Sequence, residues 1–200
     1  MNMWAARADD GFVLGGLTKQ CVDTLRGVPM LVESNDSRVR ERLLPETYDG
    51  AEDEEHWREH ATPELERLFM SRLQIVRKDL ASLRQIEDAD SWAIYLPDTH
   101  VNAWLASLNA ARLSLYALND LEPKHFERDG DVQCTQKQME ALWRIQFLAE
   151  IQCVLMGDVD DLESDEDEDE DDDSDDEGTE GEAESGGDDP LYDGPIPPVS

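Results

Sequence analysis

Between Pro97 and Asn119 the apolar residues fall at three- and four-residue steps: Val101, Trp104, Leu105, Leu108, Ala111, Leu115 and Leu118. That spacing sets them on one stripe of an α-helix. Leu113 and Tyr116 widen the stripe, so the helix is expected to be covered on more than one side. Asp98 is placed to cap its first turn by accepting from free amides. Asn102, Ser107 and Arg112 fall off the stripe, and Pro123 soon after Asn119-Asp120 prevents continuation. A helix covered on several sides needs other elements around it, and the remaining sequence offers them.

Leu17–Arg26 reads as a short helix, interrupted by Gly27-Val28-Pro29. A second helix, capped by Asp36 or Ser37, runs through Val39, Leu43 and Leu44 and stops at Pro45. Thr62-Pro63-Glu64 has the form of a helix start: a capping hydroxyl, proline at the first position, then an acid. The helix it opens is expected over Pro63–Arg84. Leu65, Leu68, Phe69, Leu73, Val76, Leu80 and Leu83 would face inward, and Arg67, Lys78 and Asp79 outward. A last helix is expected over Thr135–Met156, with Met139, Leu142, Trp143, Phe147, Ile151, Val154 and Leu155 as its apolar face and Gly157 as its stop.

Met3–Leu14 reads as a hairpin with an Asp-Asp-Gly turn, ended by Gly15-Gly16. Trp92–Leu96 is a short β-type run able to pair with it. Residues 46–53 and 122–132 read as loops. The fold class is therefore mainly α: a small helical bundle with a minor N-terminal hairpin or short sheet, occupying residues 1–157.

Composition changes abruptly at Asp158. Residues 157–200 hold 22 of the 49 acidic residues and none of the 17 basic ones, which leaves 27 acids against 17 bases in residues 1–156, a net of −10. Residues 158–189 are expected to be a disordered, self-repelling, low-complexity tail. Residues 190–200, with Leu191, Tyr192, Ile196 and Val199 among prolines, depart from the acidic run. So acidic a chain is a poor direct ligand for nucleic acid, which needs clustered Lys and Arg, and an anionic membrane surface would repel it. Its expected partner is a protein with a basic surface. There is no apolar run long enough to span a bilayer and no signal-peptide core, so a cytoplasmic location is expected.

The residues that could carry chemistry are few. Gly15-Gly16 lacks the glycine spacing and the lysine of a phosphate loop. His56 and His60 stand four apart, a metal-ligand spacing, but without the H-E-x-x-H order or an evident third ligand; they read as surface histidines. His100 and His125 read as ordinary helix-start and loop residues. Cys21, Cys134 and Cys153 are odd in number and widely spaced, as in a reducing compartment. They could form a redox pair if the first and last helices pack together, and otherwise serve as small buried apolar residues. No cofactor is expected.

Several pieces together resemble the DUF2017 family of bacterial proteins. They are the Asp-Gly hairpin before Phe12, Leu43-Leu44-Pro45 followed by Tyr48 and an acidic stretch, and Asp53–Leu83. They continue with Val101-Asn102-Ala103-Trp104-Leu105, Leu108-Asn109, Arg112-Leu113 and the helix from Trp143 to Leu155. The likeness spans about residues 4–156. Its most specific piece is the W-L-x-x-L-N-x-x-R-L run holding Trp104, Leu105, Leu108, Asn109 and Arg112, which is a packing signature. The resemblance brings no catalytic residues. Some relatives are labelled oxidative-stress transcriptional regulators with a closely spaced cysteine pair, a pair this chain lacks. The expectation is a non-catalytic protein-interaction or regulatory module, not an enzyme, whose tail engages basic surfaces. The alternatives are a redox-responsive transcriptional regulator acting through protein contacts and cysteines, and an enzyme with an unrecognised site.

Overall fold

A computed structural model of the protein describes residues 3–86, 90–126 and 133–157. The acidic run 158–189, the proline-rich end 190–200 and part of the 122–132 loop lie outside the described residues, and with them the expectation of a disordered tail.

The chain opens with strands β1 (Trp4–Ala8) and β2 (Gly11–Leu17), joined by a tight turn. Both pair antiparallel, and β2 also pairs with β4 (Trp92–Pro97), which in turn carries the two-residue β3 (Arg84–Gln85), so the sheet order is β1-β2-β4-β3. The hairpin and its pairing with the Trp92 run follow the sequence expectation. Gly15-Gly16 does not end the strand. Leu14 and Leu17 are both fully buried although they stand an odd number of residues apart, which regular alternation forbids. The register shifts between them, and Gly16 takes φ +64°, so a glycine-dependent bulge returns Leu17 to the inner face. Phe12 opposite Leu96 and Leu14 opposite Ile94 complete that face.

Thr18 caps helix α1 (Lys19–Val32), its hydroxyl accepting from the Cys21 amide. The expected break at Gly27-Val28-Pro29 does not occur. Val28 and Pro29 are buried in the core, and that packing outweighs the backbone bond that proline removes. Helix α2 (Ser37–Leu43) is capped by Asp36, as expected. The Arg38 side chain grips the same carboxylate and holds it below its ordinary range.

Helix α3 (Ala51–Leu80) differs most from expectation. It begins twelve residues before the expected start at Pro63, with Glu52, Asp53 and Glu54 in its first turn, and Pro63 lies inside it. Pro63 and Glu59, whose carbonyl loses its intrahelical donor, are both exposed, so water can take up the freed carbonyl. Only the C-terminal part of the expected stripe is buried: Leu73, Val76 and Leu80. Leu65 and Leu68 face solvent.

A single turn (Asp98–His100) leads into α4 (Val101–Leu118). Asp98 does not cap it; the carboxylate instead receives both terminal nitrogens of Arg7, at 2.6 and 2.8 Å, tying the turn to the hairpin. Trp104, Leu108, Ala111 and Leu115 are buried as expected. Ser107, expected off the stripe, is buried as well, because α4 is packed by α1, α2, α3 and the last helix, α5 (Gln136–Met156). Thr135 and Gln138 form a reciprocal capping box at the start of α5. Gly157, at φ +100°, ends it in the left-handed conformation. Phe147, Ile151, Val154 and Leu155 are buried as predicted, whereas Met139 faces out. The mainly helical class with a small N-terminal sheet is thus the observed one. Among the described residues, no helix is long and apolar enough to cross a membrane.

Candidate functional site

The polar cluster most deeply set in the core joins the end of α3 to the start of α4. Asp79 is buried there, although the sequence placed it outward. Trp104 Nε1 donates to its carboxylate at 2.8 Å, and His100 Nδ1 donates at 2.9 and 3.0 Å. His100 and Trp104 are one helical turn apart and so project to the same side. The carboxylate can only accept, so the shared proton sits on His100 Nδ1. His100 retains 23% of its side-chain surface against 7% for Asp79, which makes the imidazole the reachable member. Such an assembly can relay a proton, and it can equally serve as a joint that satisfies a buried indole N–H.

A signal for this cluster was present in the sequence. Asp79 sits three residues after Val76 and directly before Leu80, on the apolar stripe rather than beside it. A charged residue at such a position must find partners once buried.

Two further polar joints hold the fold. Glu54 accepts from the amides of Thr47 at 2.9 Å and Tyr48 at 3.0 Å, and from Arg58 Nε at 2.7 Å. The guanidinium first, and then the two amides, hold its carboxyl down at about 2. Arg112 donates to Gln152 Oε1 at 2.6 Å, and Gln152 Nε2 donates to the Leu105 carbonyl at 3.1 Å, linking α4 to α5.

The other sequence candidates build no comparable cluster among the described residues. His56 and His60 do come together on exposed helix, ring centroids 4.5 Å apart, but among the described residues no group of three His, Cys, Asp or Glu could hold a metal ion. The three cysteines are free: Cys21 buried, Cys134 half-buried, Cys153 exposed. Gly15 and Gly16 belong to the bulged strand. His125 Nδ1 accepts from the Glu122 amide and stays local. A cleft of about 550 Å3 opens where the hairpin, the start of α4 and the end of α5 meet, with Arg7, Asp98 and Asn102 as its polar lining and Gly157 at its rim.

Over residues 5–157 the sequence matches a family described as "Domain of unknown function (DUF2017)". The chain belongs to the DUF2017 family. Comparison with curated proteins and with solved structures gives no match. The DUF2017 domain thus begins in β1 and ends at the left-handed Gly157, where the acidic sequence starts. Within it the resemblance signature takes on a physical meaning. Trp104 and Leu108 are fully buried, Trp104 binds Asp79, and Arg112 with the Leu105 carbonyl binds Gln152. Asn109 alone of the five signature residues is exposed. In this DUF2017 chain the signature is a set of joints between α4 and its neighbours.

Proposed function

We propose that this DUF2017 protein is a non-catalytic protein-interaction module, and that its acidic tail draws in a partner with a basic surface. The observation that carries the reading is the outer part of α3. Residues 51–72 of that helix contain one buried side chain, Glu54, while Leu65, Leu68 and Met70 are exposed. Trp57, Ala61, Leu65 and Leu68 line a groove of about 390 Å3 on it. A water-facing helix of this length gains little stability from propensity alone, and the adjoining exposed Leu65 and Leu68 support the reading of this face as a docking surface. The tail supplies the second half of the reading, since the 22 acids of residues 157–200, without a single base, would raise the encounter rate with a cationic surface.

A pull-down with the full chain, compared with a chain truncated after Gly157 and with a Leu65→Glu/Leu68→Glu variant, tests this. A partner should be retained at low salt, be released as salt rises, and be lost or weakened with either change. A partner whose retention ignores both changes would rule the reading out.

A further inference from the structure

Two of the four histidines have their Nδ1 committed, His100 to the Asp79 carboxylate and His125 to the Glu122 amide. His56 and His60 differ. Both are exposed on α3, and neither ring makes a hydrogen bond to a described residue; Glu59 Oε2 stands 3.9 Å from His60 Nε2, beyond bonding distance. The two are one turn apart on a continuous helix, which fixes their spacing. The Glu54–Arg58 pair lies on the opposite side of that turn and ties it to the Thr47 and Tyr48 amides. The imidazole centroids are 4.5 Å apart. A metal held at about 2.0–2.1 Å by an imidazole nitrogen lies about 3.2 Å from that ring's centroid, so two rings bound at a right angle have centroids about 4.5 Å apart, and about 5.2 Å at a tetrahedral angle. The observed separation matches the right-angled pair, and rotation about the side-chain bonds of these exposed rings can bring one nitrogen of each to a common point.

We propose that His56 and His60 together bind a divalent late first-row transition ion, Cu2+ or Ni2+ ahead of Zn2+, with water in its remaining positions. Imidazole suits all three ions, but right-angled coordination belongs to tetragonal Cu2+ and Ni2+ sites, whereas Zn2+ favours a tetrahedron. The chain supplies two ligands and no third, in keeping with the lack of any three-residue metal set among the described residues. Glu52, Asp53, Glu55 and Glu59 surround the pair in sequence and raise the local concentration of cations. A bound ion would cross-link one turn of α3 in its outer part, where Glu54 is the one buried side chain of residues 51–72, and would stabilise that turn by mass action. The inference goes beyond the interaction-module reading and does not depend on it.

Calorimetric titration of the full chain with Ni2+ is the test. Excess Mg2+ is present to occupy the carboxylates, because it takes oxygen ligands and leaves imidazole free. One Ni2+ per chain is expected, bound more tightly than Zn2+. His56→Gln and His60→Gln should each weaken this event at least about tenfold, and the double change scarcely more, since either loss breaks the chelate. Both positions are exposed, so helicity by circular dichroism should not change. Glu52→His added to His60→Gln again sets two imidazoles one turn apart and should restore binding. Ni2+ should also slow amide hydrogen exchange in the outer part of α3 in the wild type and not in His60→Gln. The proposal is overturned if no one-to-one event occurs, if the event survives the double change and so belongs to carboxylates or thiols, or if Glu52→His fails to restore it. Zn2+ bound more tightly than Ni2+ would overturn the right-angled assignment.

Discussion

Trp104 donates its indole N–H to the buried carboxylate of Asp79 at 2.8 Å, across the gap between α4 and α3. Removing the acceptor strands that N–H in the core and leaves His100 without its partner. Asp79→Ala is expected to destabilise the domain by roughly 1–3 kcal/mol, read from urea denaturation. Trp104→Phe should cost less in the Asp79→Ala background than in the wild type. Strictly additive losses would show that the two side chains do not depend on each other.

Glu54 gives a pH prediction. Its folded carboxyl lies at about 2 against an ordinary 4.5, chiefly because of the Arg58 guanidinium and then the Thr47 and Tyr48 amides. The unfolded chain therefore binds the proton more readily. The contribution is complete above pH 4.5 and is lost as pH falls from there toward 2. The urea midpoint of the wild type should fall across that window more steeply than that of Glu54→Gln. Parallel curves for the two proteins would remove Glu54 from the acid response.

Gly11 should be the hairpin's least replaceable residue. A methyl group there would lie 2.3 Å from the Leu96 carbonyl oxygen, a backbone atom of the paired strand that cannot step aside. At Gly15 the obstacle is the ring of Trp4, a side chain at the strand's exposed start that can swing away. Gly11→Ala is expected to cost about 1–3 kcal/mol and Gly15→Ala less. Thermal melts of the two variants decide the order, and a larger loss at Gly15 would contradict it.

If the chain senses oxidants through its cysteines, Cys153 meets them first. It is exposed on α5, Cys134 is half-buried, and Cys21 is buried beside the Thr18 hydroxyl. A thiol-alkylating reagent followed by intact mass should modify Cys153, then Cys134, and reach Cys21 only on unfolding. Early modification of Cys21 would mean that α1 opens readily. A mobility change with oxidant, lost on Cys→Ser substitution, would favour the redox alternative.

What was legible in the sequence was whatever local spacing decides. The α4 stripe, the start of the last helix at Thr135, the Asp36 cap and the stop at Gly157 are all short-range features. The errors arose where a local signal met tertiary structure. Pro29 and Pro63 both announce a boundary, and neither makes one: the first is held by burial, the second sits where solvent can compensate. Asp98 is a good cap by composition, yet Arg7, distant in sequence, claims its carboxylate. Asp79 looked like a surface acid because periodicity sorts residues by type, and only the fold shows that Trp104 and His100 wait opposite it. The same sorting by type turns Leu65 and Leu68 inward, whereas both are exposed. The pattern marks which residues avoid water, and it does not say whether the chain itself provides the cover.

The bulge at Gly16 absorbs a single extra residue in β2. Losing one residue between Leu14 and Leu17 would remove the bulge and leave both leucines on the inner face by plain alternation, with no left-handed position for a glycine to fill. DUF2017 sequences one residue shorter at this point should therefore manage without the glycine.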